Sequence, residues 1–244
     1  MTKRIFLVSS FLFLVSFVLF LFRYRLPPRH QLEIIVDEIK AEPTQILESG
    51  LPDKHLLKTV FVPQAPQKNW DQPWQDACEE AALLNAHYFY QQKKASIAEM
   101  VTDLNQLFDY QQQQGWGHDV NLTQIATIAA ELWGYQTRII DHPTLEDIKK
   151  AISQDIPVIV PANGKILFAE NKNFKNGGPW YHSLTVLGYD DNKEKFTVHD
   201  VGTRLGAYFQ YSYSLLMDSI HDLPATGRKE DINQGVPRVL LLLK

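Results

Sequence analysis

The chain holds a single cysteine, Cys78, in the stretch Asp71-Gln72-Pro73-Trp74-Gln75-Asp76-Ala77-Cys78-Glu79-Glu80-Ala81. Pro73 and the polar residues around it read as a loop. From Ala77 onward, Ala77, Ala81, Leu84 and Tyr88 recur at spacings of three and four, which predicts a helix of about 14 residues ending near Gln92. Cys78 then lies in the first turn, where unpaired N–H groups and the positive end of the helix dipole favour a thiolate. Asp76 is expected to serve as N-cap, with Glu79 reaching back in a box-like pairing. Glu79 and Glu80 oppose a thiolate, so the direction of the thiol's pKa stays open. A cysteine here is either an activated nucleophile or a small buried hydrophobe.

A base for such a nucleophile is found about a hundred residues on. Strands are predicted at 182–189 and 195–200, joined by Asp190-Asp191-Asn192-Lys193-Glu194. With the turn centred on Asp191, His182 falls directly opposite Asp200. Alternation then places His182, Leu184 and Val186 on one face with Phe196, Val198 and Asp200, while Ser183, Thr185, Lys195, Thr197 and His199 take the other. A histidine beside a carboxylate at the polar end of an apolar face is a base with its orienter. With Cys78 the set is a thiol–imidazole–carboxylate triad. A core histidine satisfied by an aspartate is the other reading of the same pair.

The elements that must position these residues form an α+β pattern, helices first and strands later. A short strand is expected at 59–63. Ser96 with Glu99 is a capping box opening a helix with Ile97, Met100, Val101, Leu104 and Phe108 on one face, followed by a polar loop over 109–119. Asn121 with Gln124 repeats the box, and Gly134 stops that helix. A strand at 135–140, a helix capped by Thr144, a strand at 156–160 and a long loop over 162–179 lead to the hairpin. Pro157 marks the 156–160 segment as an edge or a strand start. Strands at 207–213 and 236–244 complete the pattern.

Upstream, residues 5–22 contain no charge, glycine or proline. As a helix they span about 27 Å, close to the hydrocarbon thickness of a bilayer. Lys3 and Arg4 precede the run and Arg23, Arg25 and Arg29 follow it, with no small-residue cleavage site at its end. The expected organisation is a membrane anchor at 1–25, a stalk at 26–56 and one domain at 57–244. The anchor would make the protein a single-pass membrane protein with its domain outside the cytoplasm.

Composition narrows the remaining classes. One cysteine excludes an internal disulfide framework, and a net charge of -4 gives no basic field for nucleic acid. His87, His118, His142, His199 and His221 lack metal-ligand spacing, and phosphate-cradling glycine motifs are missing, so no metal or cofactor is implied. Asp190-Asp191-Asn192 reads as a hairpin turn.

Several motifs fall together: Val62-Pro63-Gln64-Ala65-Pro66, Asn69-Trp70-Asp71, Cys78-Glu79-Glu80-Ala81, Tyr181-His182, Gly188-Tyr189-Asp190, and Asp200 followed by Gly202-Thr203-Arg204 and Gly206. Their combination, spread over about 57–220, resembles the stand-alone branch of the bacteriocin-leader-processing cysteine peptidases, the C39-like family. That resemblance implies a papain-like fold and peptide or protein substrates. It also implies Cys78 as nucleophile, His182 as general base, Asp200 as orienter and an upstream glutamine as oxyanion donor. Gln64 matches the branch's Val-Pro-x-Gln position, and Gln72, six residues before Cys78, has the spacing of papain-like enzymes generally. A non-catalytic peptide-binding module, or a thiol amidase or acyltransferase, would keep the same fold.

Overall fold

The computed structural model describes residues 50–244, so the apolar run at 5–22 lies outside the described residues. Residues from Leu51 onward form one compact unit. Its first strand, β1 (Lys54–Leu56), pairs with the central hairpin, so residues drawn with the stalk from the sequence contribute to the sheet. Among the described residues no helix is long and apolar enough to cross a membrane.

The helices start and stop where local chemistry directs. After a 3-10 turn (Trp74–Asp76), α1 (Cys78–Gln91) begins as expected. Ser96 and Glu99 form the capping box of α2 (Ile97–Gln114), Asn121 and Gln124 that of α3 (Leu122–Trp133), and Thr144 and Asp147 that of α4 (Leu145–Ser153). Gly115 and Gly134 end α2 and α3 in the left-handed conformation, which costs glycine nothing. Two short helices, α5 (Gly164–Leu167) and α6 (Tyr213–Ser219), break up the last third.

The loop expected over 109–119 begins later, because α2 runs on through its glutamines to Gln114. Glutamine is a good helix former, and Gln111 is buried with its amide on Glu80. The strand expected at 59–63 does not form. The buried Asn85 of α1 takes the place of a partner strand, accepting from Val62 N–H (2.9 Å) and donating to Val62 C=O (3.0 Å).

The remaining strands are β2 (Gln136–Asp141), β3 (Val158–Asn163), β4 (Tyr181–Asp190), β5 (Lys195–Asp200), β6 (Phe209–Ser212) and β7 (Arg238–Leu243). They make one antiparallel sheet in the order β2-β7-β3-β4-β5-β6, with β1 added beside β4. Pro157 does precede a strand, but β3 is internal and not an edge, paired with β4 on one side and β7 on the other. The β7 pairing covers only Val158 and Ile159, which leaves Pro161 beyond the ladder that would need its N–H.

The sheet is a middle layer between two cores. On one face it meets α1, α2 and α3 through Ile159, Leu240 and Leu242. On the other, Val158, Val160, Leu184, Val186 and Val198 pack with α4, α5 and α6. Both faces of the β4–β5 hairpin are therefore buried, including the one carrying Ser183, Thr185 and His199. α1 meets two polar groups on that face: Thr185 Oγ1 donates to Ala82 C=O (2.8 Å) and His199 Nδ1 bonds Asn85 Oδ1 (3.0 Å), while His199 Nε2 has no partner. Burial holds the His199 imidazole down at about 3.

The hairpin register differs from the expected one by two residues. Asp200 lies opposite Leu184 and not opposite His182. Residues 191–194 form the turn, which displaces the pairing beside it by three, and a bulge at Leu187, between Val186 and Gly188, takes one residue back. At Gly188 a Cβ would strike the His55 carbonyl of β1 at 2.7 Å, so the bulged strand needs glycine to accept β1 alongside. An even slip keeps each side chain on its face, and the pairing of His182 with Asp200 survives as a diagonal contact.

Candidate active site

Cys78 is the first residue of α1, and it is buried. The expected cap is absent: Ala77 holds the N-cap position, and no side chain closes the helix end. Asp76 is drawn off to Lys229 (2.9 Å) and accepts from Gln72 Nε2 (2.6 Å). The amides of the first turn are thus left without a side-chain acceptor, at the end of the helix where an anion is stabilised.

The state of the thiol is set by what surrounds it. Sγ donates to Glu79 Oε2 at 2.9 Å, inside the protein. Burial, and then the charge of Glu79 and its hydrogen bond, push the thiol well above its usual range, with Glu80 and Asp119 adding to the rise. The sequence left this direction open, and burial of the thiol, reinforced by the carboxyls beside it, decides it against the helix dipole. Glu79 Oε1 in turn accepts from the Val120 amide (3.1 Å). Glu80 accepts from Gln111, its other oxygen has no partner, and burial pushes it up to about 8.

His182 stands near the start of β4 on the face shared with Leu184 and Val186. Its Nε2 meets Asp200 Oδ1 at 2.9 Å. Asp200 accepts only, so Nε2–H donates to it, and in the neutral ring Nδ1 is the basic nitrogen. Phe174 packs edge-on against the imidazole, with ring centroids 5.2 Å apart. Gly202 leaves both rings room, since a Cβ there would lie 2.9 Å from His182 Cε1 and 2.9 Å from Phe174 Cε1.

Asp200 is fully buried and takes four donors. Oδ1 accepts from His182 and from Gly202 N–H (3.2 Å), and Oδ2 from Asn171 Nδ2 (2.9 Å) and Tyr211 OH (2.5 Å). Burial works to raise this carboxyl, but the charge of His182 and the bonds from His182, Tyr211 and Asn171 outweigh it and hold the group below the usual carboxylate range. Asn171, Tyr211 and Phe174 were not singled out in the sequence. Asn171 and Phe174 belong to the segment expected as a long loop over 162–179.

Cys78, His182 and Gln64 line one cleft of about 770 Å³ at the end of the sheet, with Trp70, Trp180 and Leu205 exposed around it. Lys175 and Arg204 add positive charge to its walls, and Lys165 Nζ lies 5.1 Å over the Trp180 ring. The cysteine and the histidine approach from different layers: α1 packs on one face of the sheet, while the residues that share His182's face pack on the other. No hydrogen bond joins them, since the thiol's bond goes to Glu79. Gln64 is buried with both amide protons committed, to Trp74 C=O (3.1 Å) and Gln75 C=O (2.8 Å), which ties down the turn before Cys78. Gln72 is exposed, with its amide on Asp76. Among the described residues no group of three or more His, Cys, Asp or Glu side chains is arranged to hold a metal ion.

A family model described as peptidase C39-like matches residues 60–220, the span that carries Cys78, His182 and Asp200. Two solved structures are similar. One is a C39-like peptidase from Bacillus anthracis, with 13% identity and a TM-score of 0.32, over 51% of this chain and 60% of that one. The chain therefore spans less than two thirds of that relative's length. The other is xylellain, a cysteine protease from Xylella fastidiosa, with 14% identity and a TM-score of 0.45, over 83% of this chain and 90% of that one. No curated protein matches.

Proposed function

Because this chain belongs to the peptidase C39-like family, we propose that it is a cysteine peptidase that hydrolyses peptide bonds with Cys78 as nucleophile, His182 as general base and Asp200 as orienter, on a papain-like fold. The observation that carries this reading is the His182–Asp200 hydrogen bond, which takes Nε2–H of a cleft-lining imidazole and leaves Nδ1 as the nitrogen available to act as a base. Nδ1 takes the thiol proton as sulfur attacks the scissile carbonyl. The tetrahedral intermediate collapses to a thioester as Nδ1–H protonates the leaving amine, and water, deprotonated by the same nitrogen, releases the acid and restores the thiol. Peptide cleavage followed by mass spectrometry tests the reading. Products should form with the intact protein and vanish after iodoacetamide treatment, and products that persist would refute a thiol mechanism.

The Cys78 backbone amide at the open helix end and the Gln64 side-chain amide are the proposed oxyanion donors. For Gln64 to serve, its longer bond, to Trp74 C=O, gives way when the oxyanion forms. One such donor contributes roughly two orders of magnitude in rate. Gln64→Ala should lose about that much kcat, and Gln72→Ala should stay close to wild type. The reverse ranking, measured on one peptide, would transfer the role to Gln72.

Residues 5–22 are proposed to anchor the chain in a membrane, with the domain on the extracytoplasmic side. The support for the anchor is the uncharged apolar run, and the basic residues at both its ends do not choose the side. The full chain should stay with membranes through carbonate washing, and a chain shortened to begin at Leu51 should be released folded. Full-length protein found in the carbonate wash would remove the anchor.

A further inference from the structure

The sulfur of Cys78 has a hydrogen-bond partner within the protein, and it is not the histidine. Glu79 follows it on the same helix turn, buried, with Oε2 at 2.9 Å from Sγ and Oε1 fixed by the Val120 amide. A backbone N–H needs an acceptor, so Oε1 keeps to Val120 in either protonation state and Oε2 is the oxygen that gains or loses a proton. One proton therefore belongs to the Sγ–Oε2 contact. With the carboxyl ionised the proton stays on sulfur and the nucleophile is switched off. With the carboxyl neutral, Oε2–H points at sulfur as a donor, and the thiol proton can pass to His182 without setting two anions side by side.

From this contact we propose that Glu79 is a positioning residue for the reaction: it holds Cys78 as a resting thiol when ionised and supports the thiolate when protonated. The inference rests on Cys78 being the nucleophile. The charged and titratable groups around Glu79 come from every element that meets it. Glu80 neighbours it on α1, Asp119 stands on the loop before α3, and Tyr181 of β4 donates its hydroxyl to Val120 C=O (2.9 Å). Asp222 approaches Tyr181 OH (3.5 Å), and Asp76 and Asp119 share Lys229 (2.9 and 3.3 Å). Arg238 meets Asp222 (3.8 Å), and the acids outnumber these two cations. Burial first and then the charge of Glu80 raise the Glu79 carboxyl well above the usual range, and this eases its passage to the neutral form.

Glu79→Gln mimics the neutral state. Its amide oxygen is required at Val120, so its NH2 faces sulfur as a donor. The pH dependence of iodoacetamide alkylation reads the outcome without needing peptide turnover, and with one cysteine in the chain the adduct is unambiguous. A failed peptidase assignment would thus show in the cleavage assay and leave this test standing. The alkylation midpoint should move at least one pH unit lower in Glu79→Gln, about a tenfold gain in thiolate at a fixed pH below both midpoints. Glu80→Gln removes a nearby charge without touching sulfur and should move it less. An unshifted midpoint in Glu79→Gln, or an equal shift in Glu80→Gln, overturns the proposal. The infrared S–H band of the wild-type protein guards against a variant that fails to fold. It should lie at the low frequency of a thiol bonded to a carboxylate, and the frequency of an unbonded thiol would overturn the contact.

Discussion

Cys78→Ala ends peptide hydrolysis and leaves the protein folded. Losing the nucleophile of a triad costs on the order of a millionfold in kcat, because the remaining members have nothing to activate. His182→Ala should fall to a similar floor, since the two act as a unit. The fold should tolerate the change. Cys78 is buried at the start of α1, but the core beneath it is built by Ala81, Leu84, Tyr88 and their partners in α2 and α3. Loss of one sulfur atom should cost about 1 kcal/mol. Cys78→Ser serves as a companion: its hydroxyl can keep the bond to Glu79 Oε2, so it should melt with the wild type while remaining inactive. Hydrolysis assays beside thermal melts decide the matter. Turnover surviving in Cys78→Ala would place the nucleophile elsewhere.

Asp200→Ala should be the second most damaging change, in two separable ways. Four donors, His182 Nε2–H, Gly202 N–H, Asn171 Nδ2 and Tyr211 OH, lose their acceptor at a site with no exposure. Breaking a buried, hydrogen-bonded charge network typically destabilises by about 3–5 kcal/mol. The imidazole also loses the group that fixes its tautomer, a defect worth about four orders of magnitude in a serine triad. Asp200→Asn should be milder, on the order of ten- to a hundredfold, because thiol enzymes also work with asparagine in this role. Its oxygen can stay toward His182 and Gly202 while its NH2 faces Tyr211, whose hydroxyl can turn to accept, and the bond from Asn171 Nδ2 is the one lost. The carboxyl's depressed value also ties stability to pH. Its contribution is fully present above the unfolded value of about 3.9 and is lost as pH falls through the lower folded value. Asp200→Asn should remove that part of the acid dependence. His199→Ala is the control: it empties a buried site against Asn85, so it should lower the melting temperature while kcat per folded molecule stays near wild type. If Asp200→Asn left kcat untouched, the orienter role would fail.

The features legible in the sequence were those set by near neighbours along the chain. Ser96 with Glu99, Asn121 with Gln124 and Thr144 placed the helix starts, and Gly134 a helix end, because a cap is a contact within four residues. The α+β class followed from the order of the elements. That His182 and Asp200 share a face was also legible, since side-chain direction along a strand has period two and an even error in register preserves it.

Tertiary structure decided what depends on distant groups. The register itself turned on a bulge whose glycine is needed only because β1 arrives from far upstream. Asn171 and Tyr211 reached Asp200 from a loop and another strand, and no spacing announces such convergence. The start of α1 shows the limit most sharply. The local sequence offered a helix dipole favouring the thiolate and two glutamates opposing it, with no means of ranking them. Packing ranked them by removing Glu79 and Glu80 from water together with Cys78. Burial by itself disfavours the thiolate, and carboxyls that water no longer screens add to it, so together they outweigh a helix end whose field is weak and confined to its first turn.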